Sequence, residues 1–177
     1  MSTVIKISKH NKCFWGTRTN RETWTNICDI GKIFNGRVLT LERYLFYERK
    51  YVNVLEQFFK LLKIERMRAS SVEIHPYNNR IVIAEILSNG VLPLQTMNLK
   101  EWLSDGEEYP VSLVKLLFIL VLREQCWAKF TDEAGNFIHI GYDFYFYLGS
   151  RNDHLSQLAI PKCLNYQFLD ESPYAEE

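Results

Sequence analysis

The stretch CWAKFTDEAGNFIHIGYDFYFYL, residues 126–148, decides the fold class. Cys126–Thr131 and Phe137–Leu148 are rich in aromatic and β-branched residues, and each alternates in the manner of a strand. Asp132-Glu133-Ala134-Gly135-Asn136 between them is a run of turn residues, so the two segments predict an antiparallel hairpin. In the second segment His139, Gly141, Asp143, Tyr145 and Tyr147 share one face of the pleat. Ile138, Ile140, Tyr142, Phe144 and Phe146 share the other.

Helices flank this sheet signal. Pro110 suits the first turn of an apolar helix that runs to about Gln125, hydrophobic on most sides and so placed deep in the core. Thr40 is an N-cap candidate for a helix through Leu62, with Leu41, Tyr44, Leu45, Tyr51, Val52, Leu55, Phe58, Phe59 and Leu62 as its apolar stripe. Trp24, Ile27, Ile30 and Phe34 recur at three and four residues and predict a helix over 21–34, ended by Asn35-Gly36. Val4–Ser8 reads as a strand. Ser71–His75 and Arg80–Leu87 read as a second hairpin about Pro76-Tyr77-Asn78-Asn79. Asn98 begins a short helix through Leu103, ended by Asp105-Gly106. The sum is an α+β fold: one domain over 1–169 with an antiparallel sheet against two or more long helices. Residues 170–177 form a loose acidic tail.

Composition narrows the function classes. At 177 residues the chain can bury a core without disulfides or metal. Cys13, Cys28, Cys126 and Cys163 form no CxxC and stand at no zinc-finger spacing from a histidine pair, which predicts buried thiols in a reducing compartment. The opening MSTVIKISKH has no apolar run of signal-peptide length. Val111–Leu122 is too short for the ~20 apolar residues of a bilayer span. The expected location is cytoplasmic, without membrane insertion. Net charge is zero, yet residues 1–68 hold fourteen Lys/Arg against six Asp/Glu, and the remainder is acidic to the same degree. The two halves are expected to pair within one fold, or else to leave a dipolar surface that steers a basic partner.

No Gly-rich phosphate loop, nucleophile elbow or HExxH motif is present, and no cofactor is expected. His139 and Asp143 lie on one predicted face but ~13 Å apart along it, too far to touch. His75 on a neighbouring hairpin could approach His139, so His75, His139 and Asp143 are the candidates for an acid–base or metal site. Lys6, Lys9, Lys12, Arg18, Arg21 and Lys32, with Phe14, Trp15 and Trp24 to stack, are the candidates for RNA contact. The zero net charge and the lack of a nucleic-acid motif weigh against specific nucleic-acid binding.

The segment Phe137-Ile138-His139-Ile140-Gly141-Tyr142-Asp143-Phe144-Tyr145-Phe146-Tyr147-Leu148 resembles a strand motif of small cytosolic proteins encoded beside bacterial polymorphic toxins. It departs from that pattern at Ile140, where the family has Phe, and at Phe146, where it has Met. The chain looks like an immunity protein of the contact-dependent growth inhibition type. The resemblance implies tight, non-catalytic binding to a cognate toxin domain. If that toxin is a nuclease, its cleft is basic, and acidic loops can take the place of phosphates. The acidic candidates are Glu101, Asp105, Glu107 and Glu108 around one loop and Asp132 and Glu133 in the hairpin turn. Tyr142 and Tyr145 are the aromatic candidates.

Overall fold

The computed structural model describes residues 3–10, 23–74, 103–141, 143–151 and 154–169. Its strands are β1 (Thr3–Ser8), β2 (Ile33–Phe34), β3 (Arg37–Val38), β4 (Arg66–Ile74), β5 (Glu108–Pro110), β6 (Cys126–Thr131), β7 (Phe137–Gly141), β8 (Tyr145–Ser150) and β9 (Asn165–Leu169). Its helices are α1 (Leu41–Leu62) and α2 (Val111–Leu122). Among the described residues, seven strands form one antiparallel sheet in the order β5-β4-β6-β7-β8-β1-β9, and the two helices pack against it. This is the expected α+β architecture. The predicted strand over 80–87, its turn over 76–79, most of the 98–103 helix and the 170–177 tail lie outside the described residues.

The long strand expected over Phe137–Leu148 is two strands. The chain reverses between Gly141 and Tyr145, which pair with each other, and β7 and β8 become central neighbours in the sheet. Phe144 makes the reversal in the left-handed region, at φ 56. A bulky residue there costs roughly 1–2 kcal/mol. Its surroundings hold it in place. Its ring lies 4.9 Å from Trp24, 5.2 Å from Tyr44 and 5.0 Å from Tyr51. The buried Tyr51 hydroxyl donates to the Phe144 carbonyl at 2.7 Å and accepts from the Lys9 amide at 2.7 Å. The face assignment holds for the strand residues on either side of the turn, because three residues between paired Gly141 and Tyr145 keep the alternation in phase, but Asp143 and Phe144 belong to the turn and to neither strand face. Ile138 and Ile140 still share the core face with Phe146 and Leu148. In the opposite register row, aromatic rings cover glycines: Phe137 lies across from Gly149, and Tyr145 across from Gly141. A Cβ on either glycine would meet that ring at about 2 Å, so the close approach requires glycine.

Helix α1 begins where the sequence places it, with the Thr40 hydroxyl accepting from the Arg43 amide at 3.2 Å. It ends at Lys63, in the left-handed conformation. The predicted stripe is buried except at its margins, but one stripe position carries a charge. Glu48 lies between Tyr44 and Tyr51 and is buried. Arg123, just past the end of α2, meets it with two bonds, Nε to Oε2 at 2.7 Å and Nη2 to Oε1 at 2.6 Å. Tyr44 donates to the Leu122 carbonyl at 2.9 Å beside it. The end of α2 is thereby fixed against the first half of α1. Phe118 of α2 and Tyr51 of α1 both contact Phe146, which places both helices over the same face of the sheet.

Residues 21–34 do not form the expected helix. The described part has a single 3-10 turn at Ile27–Asp29 and then the β2–β3 hairpin. The Asp29 carboxylate accepts from the Thr25 amide at 2.9 Å and so stabilises a turn rather than a longer helix. Asn35-Gly36 sits at positive φ at both positions, the geometry of a two-residue hairpin turn. Trp24 and Ile27 are buried as their spacing suggested. Strand β4 starts at Arg66, earlier than the expected Ser71, and carries a bulge between Ser70 and Glu73 with Ser71 at φ 52.

Two outcomes test this packing. Tyr51→Phe removes the group that satisfies two backbone partners and should destabilise the fold by about 1–3 kcal/mol in urea unfolding. Glu48→Ala leaves Arg123 buried and unpaired and should cost about 3–5 kcal/mol, whereas the Glu48→Met, Arg123→Met double variant should recover most of that loss.

Candidate functional site

Strand β4 brings the two acidic loops together. Arg68 pairs with Glu108 of β5 on one side and with Thr131 of β6 on the other. The loop that follows Thr131 therefore lies one strand away from Glu108, although the sequence separates them widely. Between them opens a groove of about 630 Å³, lined by Lys63, Glu65, Arg66, Arg68, Glu108, Asp132 and Glu133 among others.

The carboxylates in and around this groove have different occupations. Glu108 is paired to Arg68 at 2.9 Å and lies 3.8 Å from Arg66, whose Nη2 also donates to the Glu108 carbonyl at 2.9 Å. Asp132 accepts from the Asn136 amide at 2.8 Å and from the Asn136 side chain at 2.7 Å, so it closes its own loop. Asp105 accepts from the Val72 amide at 2.9 Å and holds the β4 bulge. Glu65, Glu107 and Glu133 have exposed side chains. Sequence reasoning offered six acids as one class of contact. The structure divides the five it describes into structural acceptors and solvent-facing charges, and it adds a basic floor of Lys63, Arg66 and Arg68 that was not anticipated. The patch is mixed, not acidic. Glu101 and Tyr142 lie outside the described residues. Tyr145 is half-buried, with Lys6 Nζ 4.2 Å from its ring centroid and Tyr147 edge-on at 5.6 Å.

The candidate acid–base set is described only in part. His75 is outside the described residues. His139 lies on β7 in a cross-strand row between Lys129 and Tyr147, on the sheet face away from the helices. Its ring stacks on Phe137 at 4.4 Å. Burial, with the charge of Lys129, pushes its pKa down to about 4. Asp143 lies in the β7–β8 turn, where its backbone carbonyl, not its carboxylate, accepts from His10 Nε2 at 3.0 Å. His10 is likewise pushed down to about 4, by burial first and then by Lys9. Among the described residues no group of three or more His, Cys, Asp and Glu is placed to hold a metal ion.

The RNA-contact candidates are likewise described only in part. Trp24 is buried. Lys9 bonds Thr23 Oγ1 at 2.9 Å and the Trp24 carbonyl, with its ammonium 3.9 Å from the Trp24 ring centroid. Burial lowers its pKa to about 7. Lys32 pairs with Asp29 at 2.8 Å. Lys12, Arg18, Arg21, Phe14 and Trp15 lie outside the described residues. Of the described cysteines, Cys126 is buried, and Cys28 and Cys163 are half-buried. No described helix is long and apolar enough to cross a membrane. Compared with protein-family models, with curated proteins and with solved structures, the chain matches none.

The histidines make the fold sensitive to acid. A histidine held at about 4 in the fold stays neutral while the unfolded chain, near 6.5, takes up its proton. Stability should therefore be full above about pH 6.5 and fall as the pH drops toward 4. Urea midpoints measured across this window should decline for the native chain, and His139→Gln should remove part of that slope.

Proposed function

We propose that this protein is an inhibitor that neutralises a cognate bacterial toxin by tight, non-catalytic protein–protein binding, with the groove between β5 and the β6–β7 loop as part of its contact surface. One observation carries the reading: two acidic loops, distant in sequence, flank the same position of β4 and open onto one groove. Glu65 and Glu133 there, and Glu107 nearby, present exposed carboxylates to the basic cleft of a toxin that acts on nucleic acid. Arg66 and Arg68 add donors in a fixed fork, which suits carboxylates or backbone carbonyls of the same partner. The mixed charge favours a protein, whose surface offers both signs, over a nucleic acid, which offers one.

The resemblance of residues 137–148 supports the reading at the level of the fold. Those residues form the centre of the sheet, and several of them are core. They build the scaffold that displays the groove, and the groove's own side chains come from elsewhere. Of the side chains that the enzyme and RNA-binding alternatives draw on, His139, Lys9 and Trp24 are engaged within the fold, while His75, Lys12, Arg18 and Arg21 lie outside the described residues.

The test begins with the reading frame beside this gene: the reading expects a toxin domain there, to be co-expressed with the native chain and with variants. Glu107→Lys, Glu133→Lys together should slow association about tenfold at low salt and less at high salt, the sign of lost steering. Glu108→Lys is a poorer probe, because it also breaks the contacts to Arg66 and Arg68. Reversal of Asp170 and Glu171 in the acidic tail should have much less effect. Unaltered kinetics in the groove variant would remove the groove from the interface, and failure of the native chain to bind or protect would remove the inhibitor reading.

A further inference from the structure

Strand β9 closes one end of the sheet among the described residues, and it pairs with β1 alone. Its five residues, Asn165-Tyr166-Gln167-Phe168-Leu169, carry no charge and no proline. Sheets ordinarily protect an edge with one or the other, because unpaired backbone groups invite another strand. Tyr166 and Phe168 are each 44 % exposed and touch each other edge-to-face at 5.9 Å. They pair with Ile7 and Ile5, so they continue the apolar, helix-bearing face of the sheet beyond its last covered strand.

We propose that β9 pairs antiparallel with β9 of a second copy of this chain, joining two sheets across a two-fold axis at Gln167. The sequence of the strand is self-complementary in that register. Tyr166 falls opposite the other copy's Phe168, and Phe168 opposite its Tyr166, so four aromatic rings close over the junction. A shift of one residue would set the aromatic pair of one copy on the opposite face from that of the other. A shift of two would keep the face but lose overlap on a strand of five. Antiparallel pairing is also favoured by charge. In sequence, Lys162 precedes the strand and Asp170-Glu171 follow it, so opposite ends of two antiparallel copies meet with opposite sign. A two-fold contact of one patch with itself is the commonest way for a chain to assemble, and it closes at two copies. The junction is one short strand wide, below the size of a standard interface, so the dimer is a reversible one. The groove at β4–β6 is at the other end of the sheet and remains open in the dimer. The proposal therefore stands apart from the inhibitor reading.

Sedimentation equilibrium of the native chain, from about 5 to about 500 μM, should show a monomer passing to a dimer and no larger species. Phe168→Lys should remain monomeric across that range, with a circular dichroism spectrum and melting curve that establish its folding. Site-directed cysteines locate the axis. Two copies of residue 167 face each other at about 4.5–5.5 Å between Cα atoms, within disulfide reach, whereas two copies of residue 165 stand ~13 Å apart. Mild oxidation should thus cross-link Gln167→Cys at least tenfold faster than Asn165→Cys, the native cysteines giving the same background in both. A native chain that stays monomeric, a dimer that survives Phe168→Lys, or equal cross-linking at 165 and 167 would each overturn the proposal. A monomer whose Phe168→Lys variant loses its cognate toxin would assign the edge to that partner instead.

Discussion

The bond from the Tyr51 hydroxyl to the Phe144 carbonyl organises much of this molecule. It joins the middle of α1 to the turn that divides one run of alternating residues into β7 and β8. That turn places a phenylalanine where glycine or asparagine is usual. Local chemistry therefore opposes the turn, and tertiary chemistry supplies the compensation: a ring packed among Trp24, Tyr44 and Tyr51, and a carbonyl satisfied away from water. Two central strands of the sheet depend on that local reversal, and β1 and β9 are added to β8 in turn.

A second constraint fixes the helices. Glu48 and Arg123 are both buried, and each satisfies the other through two bonds. Such a pair adds little net stability, since both ions lose their hydration. It does specify which turn of α1 meets the end of α2. Charge pairing between the basic and acidic halves of the chain is only partly what the composition suggested. Arg66 and Arg68 reach forward to Glu108, in the expected sense. Glu48–Arg123 and Glu56–Lys115 run the other way, with the acid in the basic half. Net charge over a long segment thus says little about which side chains meet.

The groove illustrates how a sheet creates a site. Arg68 has one neighbour on each side because β4 is an interior strand at that point. Loops attached to those two neighbours converge for that reason alone. Convergence also alters what the acids can do. Glu108 is bound by the arginines of β4, and Asp132 turns inward to its own loop. The charges that remain directed at solvent are Glu65, Glu107 and Glu133, beside a basic floor.

Periodicity and capping chemistry were sufficient for much of this architecture. The stripe on α1, the Thr40 cap, the apolar α2, the β6–β7 loop and the alternation of residues 137–141 and 145–148 are all local patterns, and each matches the described structure. The strand break at 142–144 was not legible, because its cost is met by residues about 90 positions away. The 21–34 helix was misread, because the same buried Trp24 and Ile27 can be presented by a single turn that Asp29 fastens. Glu48 stood visibly at a core position of the α1 stripe and could have signalled a buried partner, but nothing local pointed to Arg123. The acidic loops were identified by composition, while the strand order decided which lay together and which carboxylates were already engaged. Sequence by itself determined where each face would be apolar, since burial follows from side-chain type at a fixed repeat. Only the tertiary structure decided which strands are neighbours and which charges are spent, because both depend on contacts between residues that the chain holds far apart.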